Sequence, residues 1–356
     1  MSGFVVFRRR RIRVLSLIAP AVLLISCGLL PRFAHAEVAD APAAVTAAAE
    51  AAAAPGPNEV IVGAYVNDIQ EIDFRTHSYA VDLYVWLRWK NAAITPDKTL
   101  EFMNRYAPND HVRDMLYEKP KIMPDGSFYS AIRAQGRFAT KFRLEKYPFD
   151  TQNLIVTFED SLAGSQAQIY VPDANPITLN PDVLMPGFRI GKPQIVVVDK
   201  PYATNFGDLS EPDVPSYSRV TIVIPISRPL AALSAKTFLP IGLIVVCALL
   251  VFFVRPAFAD GRIGLAITAL LTLVALQLTS GSSLPDVDYL MMIDKIYFAS
   301  YVFIIAALVR VVATSWVSAG TTHEVEVARR DRMWAMGLAA TYVVSVLVTG
   351  WWALRI

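Results

Sequence analysis

Residues 219–255 read RVTIVIPISRPLAALSAKTFLPIGLIVVCALLVFFVR, and the hydrophobic pattern changes partway through them. From Arg219 to Ile226 polar and apolar side chains alternate, the period of a strand with one buried face. After Ser227-Arg228-Pro229 the alternation stops, and Thr237–Val254 is an uncharged apolar run between Lys236 and Arg255. That run approaches the roughly 20 residues a helix needs to cross a bilayer. A sheet-forming region therefore gives way to a membrane-helical one, with the boundary at 229/230.

The pattern extends in both directions. Upstream, Val60–Tyr65, Ala80–Trp89, Phe128–Gln135, Asn153–Phe158 and Gln194–Val198 are short alternating segments, and Pro124-Asp125-Gly126 is a tight hairpin signal. Strands at this spacing without intervening helices predict an all-β sandwich of about ten strands over residues 59–229. In Ala80–Trp89, Val81, Leu83, Val85, Leu87 and Trp89 fall on a core face; Asp82, Tyr84, Trp86 and Arg88 fall on the other. Two large aromatics among charges suit a subunit interface or a ligand-facing surface, or equally an exposed face that packs across strands. Downstream, Ile263–Ser280, Ile296–Val309 with Val311–Ala313, and Met333–Leu354 repeat the apolar pattern. Residues 230–356 are thus expected to form an all-α bundle of four membrane helices, near 237–254, 262–281, 293–314 and 333–354.

The first 36 residues have a basic start (Arg8 to Arg13), an apolar run from Val14 to Leu30, and Ala34-His35-Ala36. This is the layout of a secretory signal peptide. Lipoprotein processing at Cys27 and an uncleaved anchor are the alternatives. Residues 37–58 are rich in Ala and Pro without periodicity and read as a disordered lead-in. Arg255, Arg262, Arg310, Arg329, Arg330 and Arg332 lie in or border two of the membrane loops, whereas Gly281–Met292 contains Asp286 and Asp288. Basic loops stay inside. The expected protein is a multi-pass inner-membrane protein whose β-domain and C-terminus are periplasmic.

Composition narrows the function. The chain is 54% hydrophobic with 18% charged residues and a mean hydropathy of +0.41, too apolar for a fully soluble protein. Six of its 33 basic residues lie in the first 36 positions, where there is no acid, which leaves 27 basic against 31 acidic groups. No basic patch for nucleic acid remains. Cys27 and Cys247 sit in apolar stretches and form neither a disulfide framework nor a zinc site. Phosphate-loop, Gly-x-Ser-x-Gly and His-Glu-x-x-His signatures are missing, and the expected topology separates His323 from His77 and His111. The pair Glu159-Asp160 reads as solvated. Neither an enzyme, a metal nor a cofactor is implied.

The second membrane segment has the composition of a helix that faces water. Asp260, Gly264, Thr268, Leu271, Ala275 and Leu278 recur at spacings of four and three and form one stripe. Copies around an axis would set a carboxylate ring below a hydrophobic constriction, an arrangement that selects and gates ions. The alternative is that Thr268 and Thr272 bond their own helix backbone.

Tyr147-Pro148-Phe149-Asp150-Thr151-Gln152 resembles the Tyr/Phe-Pro-Phe-Asp-x-Gln loop of the prokaryotic pentameric ligand-gated ion channels, relatives of the Cys-loop receptors. Thr140 and Leu154 stand where animal members carry the bracketing cysteines. Trp89-Lys90-Asn91, the Pro-Asp-Gly hairpin, Ser227-Arg228-Pro229, Pro240 and Leu284-Pro285 extend the resemblance across residues 59–356. It implies a pentamer whose second helix lines the pore, with Asp260 as a cation-selecting ring and Leu271 as the gate. It implies coupling through Arg228 and Asp150, with Glu71 or Asp73 as a third carboxylate and Leu284-Pro285 as the receiving loop. It further implies an aromatic agonist pocket between subunits. Tyr84 and Trp86 are its candidates from one side; Tyr202, Phe206 and Tyr217 are those from the other. The usual Trp-x-Pro segment is missing, and Leu100–Tyr117 offers Phe102, Tyr106 and Tyr117 there. The partners implied are further copies of the chain, membrane lipid, inorganic cations, and a small-molecule agonist, an amine for example, or protons sensed by His77. A non-conducting receptor of the same fold is the rival reading.

Overall fold

The computed structural model describes residues 56–207, 215–315 and 321–355. The expected signal peptide, Cys27 and nearly all of the Ala/Pro-rich lead-in lie outside the described residues. The chain divides into two compact units. Among the described residues, one contains 56–207, 215–236 and 278–291; the other contains 237–277, 292–315 and 321–355.

The first unit is a sandwich of eleven strands among the described residues. They are β1 (Asn58–Asp73), β2 (Ser78–Trp89), β3 (Leu100–Phe102), β4 (Val112–Met115), β5 (Lys121–Ile122), β6 (Phe128–Ala139), β7 (Thr151–Asp160), β8 (Gln168–Leu179), β9 (Arg189–Ile190), β10 (Gln194–Pro201) and β11 (Ser216–Ser227). One sheet runs β4-β6-β2-β1-β8 with β5 also on β6; the other runs β10-β11-β7-β3 with β9 on β11. The alternation in β2 works as expected: Val81, Leu83, Val85, Leu87 and Trp89 are 0–3% exposed. They face Leu154, Val156 and Phe158 of β7 and Val220, Ile222 and Ile224 of β11 across the core, all fully buried. Burying each such side chain stabilises the fold by about 1.5–3 kcal/mol. β2 and β6 pair without a register shift from Ser78↔Ala139 to Trp89↔Phe128. Gly126 supplies the positive φ of 80° at the preceding β5–β6 turn, where the Asp125 carboxylate accepts the Ser127 N–H and hydroxyl.

The opposite face of β2 is a cross-strand ladder. Trp86 lies flat against Gly63 of β1, where a Cβ would overlap its ring. Its indole N–H donates to Asp173 of β8 (3.0 Å), which also pairs with Arg88. Arg133 of β6 pairs with Asp82 (2.8 Å) and lies over the Tyr84 ring.

The helices are α1 (Leu230–Leu250), α2 (Ala259–Gly281), α3 (Met292–Ser315) and α4 (Thr321–Arg355). Three have membrane-crossing length and apolarity: α2, α3 and residues 324–353 of α4. The apolar part of α1 is shorter, Ser234–Leu250. The apolar run continues to Val254, but the helix stops at Leu250 and Val251–Phe253 form turns. There the N–H groups of Val251, Phe252 and Phe253 bond the carbonyls of Ala248, Leu249 and Leu250, so the last turn tightens to three-residue bonds. At the other end, α4 starts well before its apolar run, with a charged first section carrying an i,i+4 pair, Glu326–Arg330 (2.5 Å). Ala266, Ala307 and Ala335 lie at the contacts of two buried clusters, and such small residues let helices approach closely.

Candidate functional site

Three arrangements of side chains carry chemistry. The first lies on the β7-β11-β10 sheet. The pairing Val220↔Phe158 sets Arg219 beside Glu159, and the two form an ion pair. Tyr202, just past β10, donates its hydroxyl to the other Glu159 oxygen (2.9 Å) and accepts from Arg219 Nη2 (2.7 Å). The Tyr202 ring meets Phe206 at 5.3 Å and Tyr217 at 5.7 Å. Burial and the Glu159 carboxylate push the Tyr202 hydroxyl above its ordinary pKa, so it stays a proton donor. The solvated reading of Glu159-Asp160 is overturned, because both are buried. Asp160 accepts from Gln168 Nε2 (2.9 Å), the Thr99 hydroxyl and the N–H groups of Leu162 and Ala163. Tyr202, Phe206 and Tyr217 therefore come together, around a carboxylate and a guanidinium. Tyr84 and Trp86 lie on the other sheet, where Tyr84 meets Tyr65 at 6.3 Å. Tyr106 is an exposed residue of the loop after β3, its N–H bonded to the Arg137 carbonyl (2.9 Å).

The second arrangement surrounds Arg228. Its guanidinium lies 4.6 Å from the rings of Phe74 and Phe188 and 5.0 Å from Tyr147, with Nε 3.3 Å from Asp150 Oδ1. Gln152 donates to Asp150 Oδ2 and to the Arg143 carbonyl, both 2.6 Å, and accepts the Arg143 N–H. The loop motif is thus a clamp in which Gln152 holds both Asp150 and the loop's own start. Tyr147-Pro148 is cis. Leu144 N–H donates to the Tyr289 hydroxyl (3.0 Å) of the segment that carries Leu284 and Pro285. Phe142 N–H donates to His77 Nδ1 (3.2 Å) in the β1–β2 turn. A two-carboxylate cradle for Arg228 does not form. Glu71 pairs with Arg137 (2.8 Å), and Asp73 accepts the N–H groups of Arg75 and Thr76 within its own turn. Three rings take the place of the second carboxylate.

Burial, then the nearby Lys141 charge, hold His77 below its ordinary pKa of 6.5. The unfolded chain therefore binds more protons below about pH 6.5, and stability is full above that value and falls as pH drops towards the folded pKa. The protection of the Phe142 amide against hydrogen exchange, measured relative to the intrinsic rate at each pH, should fall between about pH 7.5 and about pH 5, and His77→Gln should flatten that dependence. An unchanged profile in the variant would remove His77 as the cause.

The third arrangement is α2 itself. Asp260, Gly264, Thr268, Leu271, Ala275 and Leu278 are all exposed, Leu271 at 64% and Leu278 at 72%. The buried stripe of the same helix is Arg262, Ala266, Ala269 and Leu273. Thr268 and Thr272 bond the carbonyls four residues back, each at 2.8 Å, so the backbone-bonding reading describes these hydroxyls. Their oxygens keep acceptor capacity towards solvent. Tyr301 of α3 donates to Gln277 (2.6 Å).

Residues 237–341 match the model of the neurotransmitter-gated ion-channel transmembrane region. The gamma-aminobutyric acid receptor subunit beta of Lymnaea stagnalis is 27% identical over 199 residues, covering 55% of this chain and 38% of the relative. The subunit beta of Caenorhabditis elegans is 24% identical over 283 residues, 72% of this chain and 48% of the relative.

Residues 237–341 thus resemble the transmembrane region of the neurotransmitter-gated ion channels.

The subunit beta-4 of Gallus gallus, 21% identical over 287 residues, covers 74% of the chain and 57% of its own length. The chain spans about half the length of the curated relatives it matches. Sequence patterning alone had no signal for several of its clustered residues. Phe74, Phe188 and Tyr289 are spread over more than 200 positions, and aromatic residues at such separations carry no periodic mark. Glu159 and Arg219 are paired only through strand register.

Proposed function

We propose that five copies of the chain form a ligand-gated, cation-selective channel, with α2 lining the pore and Asp260 ringing its inner mouth. One observation carries the reading: every residue of the hydroxyl-bearing stripe is exposed on the face opposite the buried one. Five carboxylates converging on a narrow mouth concentrate cations and repel anions. Leu271, higher on the same stripe, forms the hydrophobic constriction that closes by dewetting. The arginine-rich loops support a bacterial inner-membrane orientation with that mouth in the cytoplasm and the sandwich in the periplasm.

The agonist is a small ammonium compound bound against Tyr202, Tyr217 and Phe206, with Tyr84 and Trp86 of a neighbouring copy completing the pocket. Aromatic faces attract cations, and the Glu159 carboxylate, paired with Arg219, adds an anionic group beside them. Arg219 beside it suits a ligand that also bears a carboxylate, and the name of the relatives supports that class. Protons are the second candidate stimulus: protonating His77 Nδ1 removes its acceptor for the Phe142 N–H.

Reversal potentials under a tenfold salt gradient test the pore. Sodium permeability should exceed chloride permeability by roughly tenfold or more, and Asp260→Asn should bring the ratio most of the way to unity. Potentials that track chloride in the unmodified protein would overturn the selectivity. A purified pentamer silent to amines and to acid would favour the non-conducting receptor.

A further inference from the structure

We propose that Asp331 of α4 determines ion selectivity without facing the pore, by holding the Arg262 guanidinium inside the helical bundle. The inference rests on the reading of Asp260 as the pore mouth. Asp260 and Arg262 stand two residues apart in the first turn of α2. If both faced the mouth, their charges would cancel. A helix turns about 100° per residue, so the two point roughly 200° apart, and burying one turns the other outwards. Arg262 is the buried one, 1% exposed, and Asp260 is exposed.

Arg262 has no reason of its own to stay there. Its guanidinium cannot escape burial by losing a proton. The N-terminal turn of a helix also disfavours a cation. Two bonds hold it: Nη2 lies 2.6 Å from Asp331 Oδ2, and Nε donates to the Val251 carbonyl (3.0 Å) just past α1. Asp331 is 0% exposed, and its other oxygen takes Arg310 Nε at 2.9 Å. Arg310 also lies over the Trp334 ring at 5.6 Å. One carboxylate thus serves two guanidiniums. Without it, two unpaired cations would be buried together, which is strongly unfavourable. Arg310 retains a ring and partial exposure. Arg262 retains a single carbonyl, and its long stem allows the charge to move to water at the end of the helix, beside Asp260.

The test uses full-length channels in membrane patches under a tenfold sodium chloride gradient, with surface pentamer quantified. Asp331→Asn should lower the sodium-to-chloride permeability ratio about fivefold or more, as five guanidiniums join five carboxylates at the mouth. Arg262→Gln in the Asp331→Asn background should restore the ratio to within about twofold of the unmodified channel, a rescue that general loosening of the bundle does not produce. A normal ratio in Asp331→Asn, or a double variant no better than Asp331→Asn, would overturn the inference. If Asp331→Asn yields no surface pentamer, Arg262→Gln alone decides. An unchanged ratio supports the sequestered arginine; a clear rise in cation preference would show that Arg262 already faces the mouth, and would sink the idea. Asp260→Asn is the control. If it leaves the ratio unchanged, the pore-mouth reading fails and this inference with it; if it lowers the ratio while Asp331→Asn does not, only this inference fails.

Discussion

Arg228→Ala should abolish agonist-evoked current while pentamers still reach the membrane. The guanidinium is mostly buried, paired with a buried Asp150 and enclosed by Phe74, Phe188 and Tyr147. Those rings come from three separate places: the β1–β2 turn, the loop before β9 and the 140–150 loop. Alanine removes the one group that touches all of them and leaves Asp150 a buried charge without its cation. Breaking a buried pair in this way costs about 3–5 kcal/mol, a large part of the 5–15 kcal/mol that stabilises a typical domain. Much of that loss should stay local, because the sandwich core is formed by other strands. What is lost is the mechanical connection between the turn and the loop that reaches Tyr289. Arg228→Lys should recover little, since an ammonium keeps the charge but does not stack as a plane among three rings. Surface labelling alongside whole-cell current measures both quantities. A normal half-activating concentration and maximal current in Arg228→Ala would show that the cluster is a static structural feature.

How far the sequence anticipates this molecule depends on the range of the interaction concerned. Period-two alternation in β2 and β11 is a local property, and the core face it predicts is the buried one. The same holds for the α2 stripe, where four- and three-residue spacing separates the exposed from the buried positions. Strands of two to four residues, β3, β4, β5 and β9, are too short to show a period, although the expected total of about ten strands holds. Hydropathy alone runs the first membrane segment to Val254, but the helix ends at Leu250, and Val251–Phe253 bond three residues back instead of four. The pairings of charged residues were the least legible. Arg228 was expected between two carboxylates because Glu71 and Asp73 occupy the adjacent turn. Arg137 captures Glu71, however, and Asp73 serves its own turn's N–H groups. Arg262 and Arg310 read as topology markers in the sequence; their shared partner Asp331 lies far along the chain in a helix with little periodic signal.

Glu159 is the clearest case of a residue whose role depends on register, and replacing it should have the second large effect. In Glu159→Gln the side chain keeps its shape but loses its charge. Tyr202 retains an acceptor, whereas Arg219 faces a neutral amide and an incoming ammonium finds no anion. Hydrogen bonds to charged groups contribute about 1.5–3 kcal/mol, so the half-activating concentration of an amine agonist should rise roughly 10- to 150-fold. The aromatic cage should remain, because Phe206 and Tyr217 pack against the Tyr202 ring rather than against the carboxylate. Maximal current should therefore be retained at high agonist concentration, which separates a binding defect from the gating defect expected at Arg228. Tyr202→Phe provides the internal comparison. It deletes one hydroxyl bond to Glu159 and one from Arg219 but leaves ring and charge in place, and should cost less than Glu159→Gln. If the order were reversed, the hydroxyl rather than the carboxylate would be the main recognition group, and the ligand would be a hydrogen-bond acceptor instead of a cation.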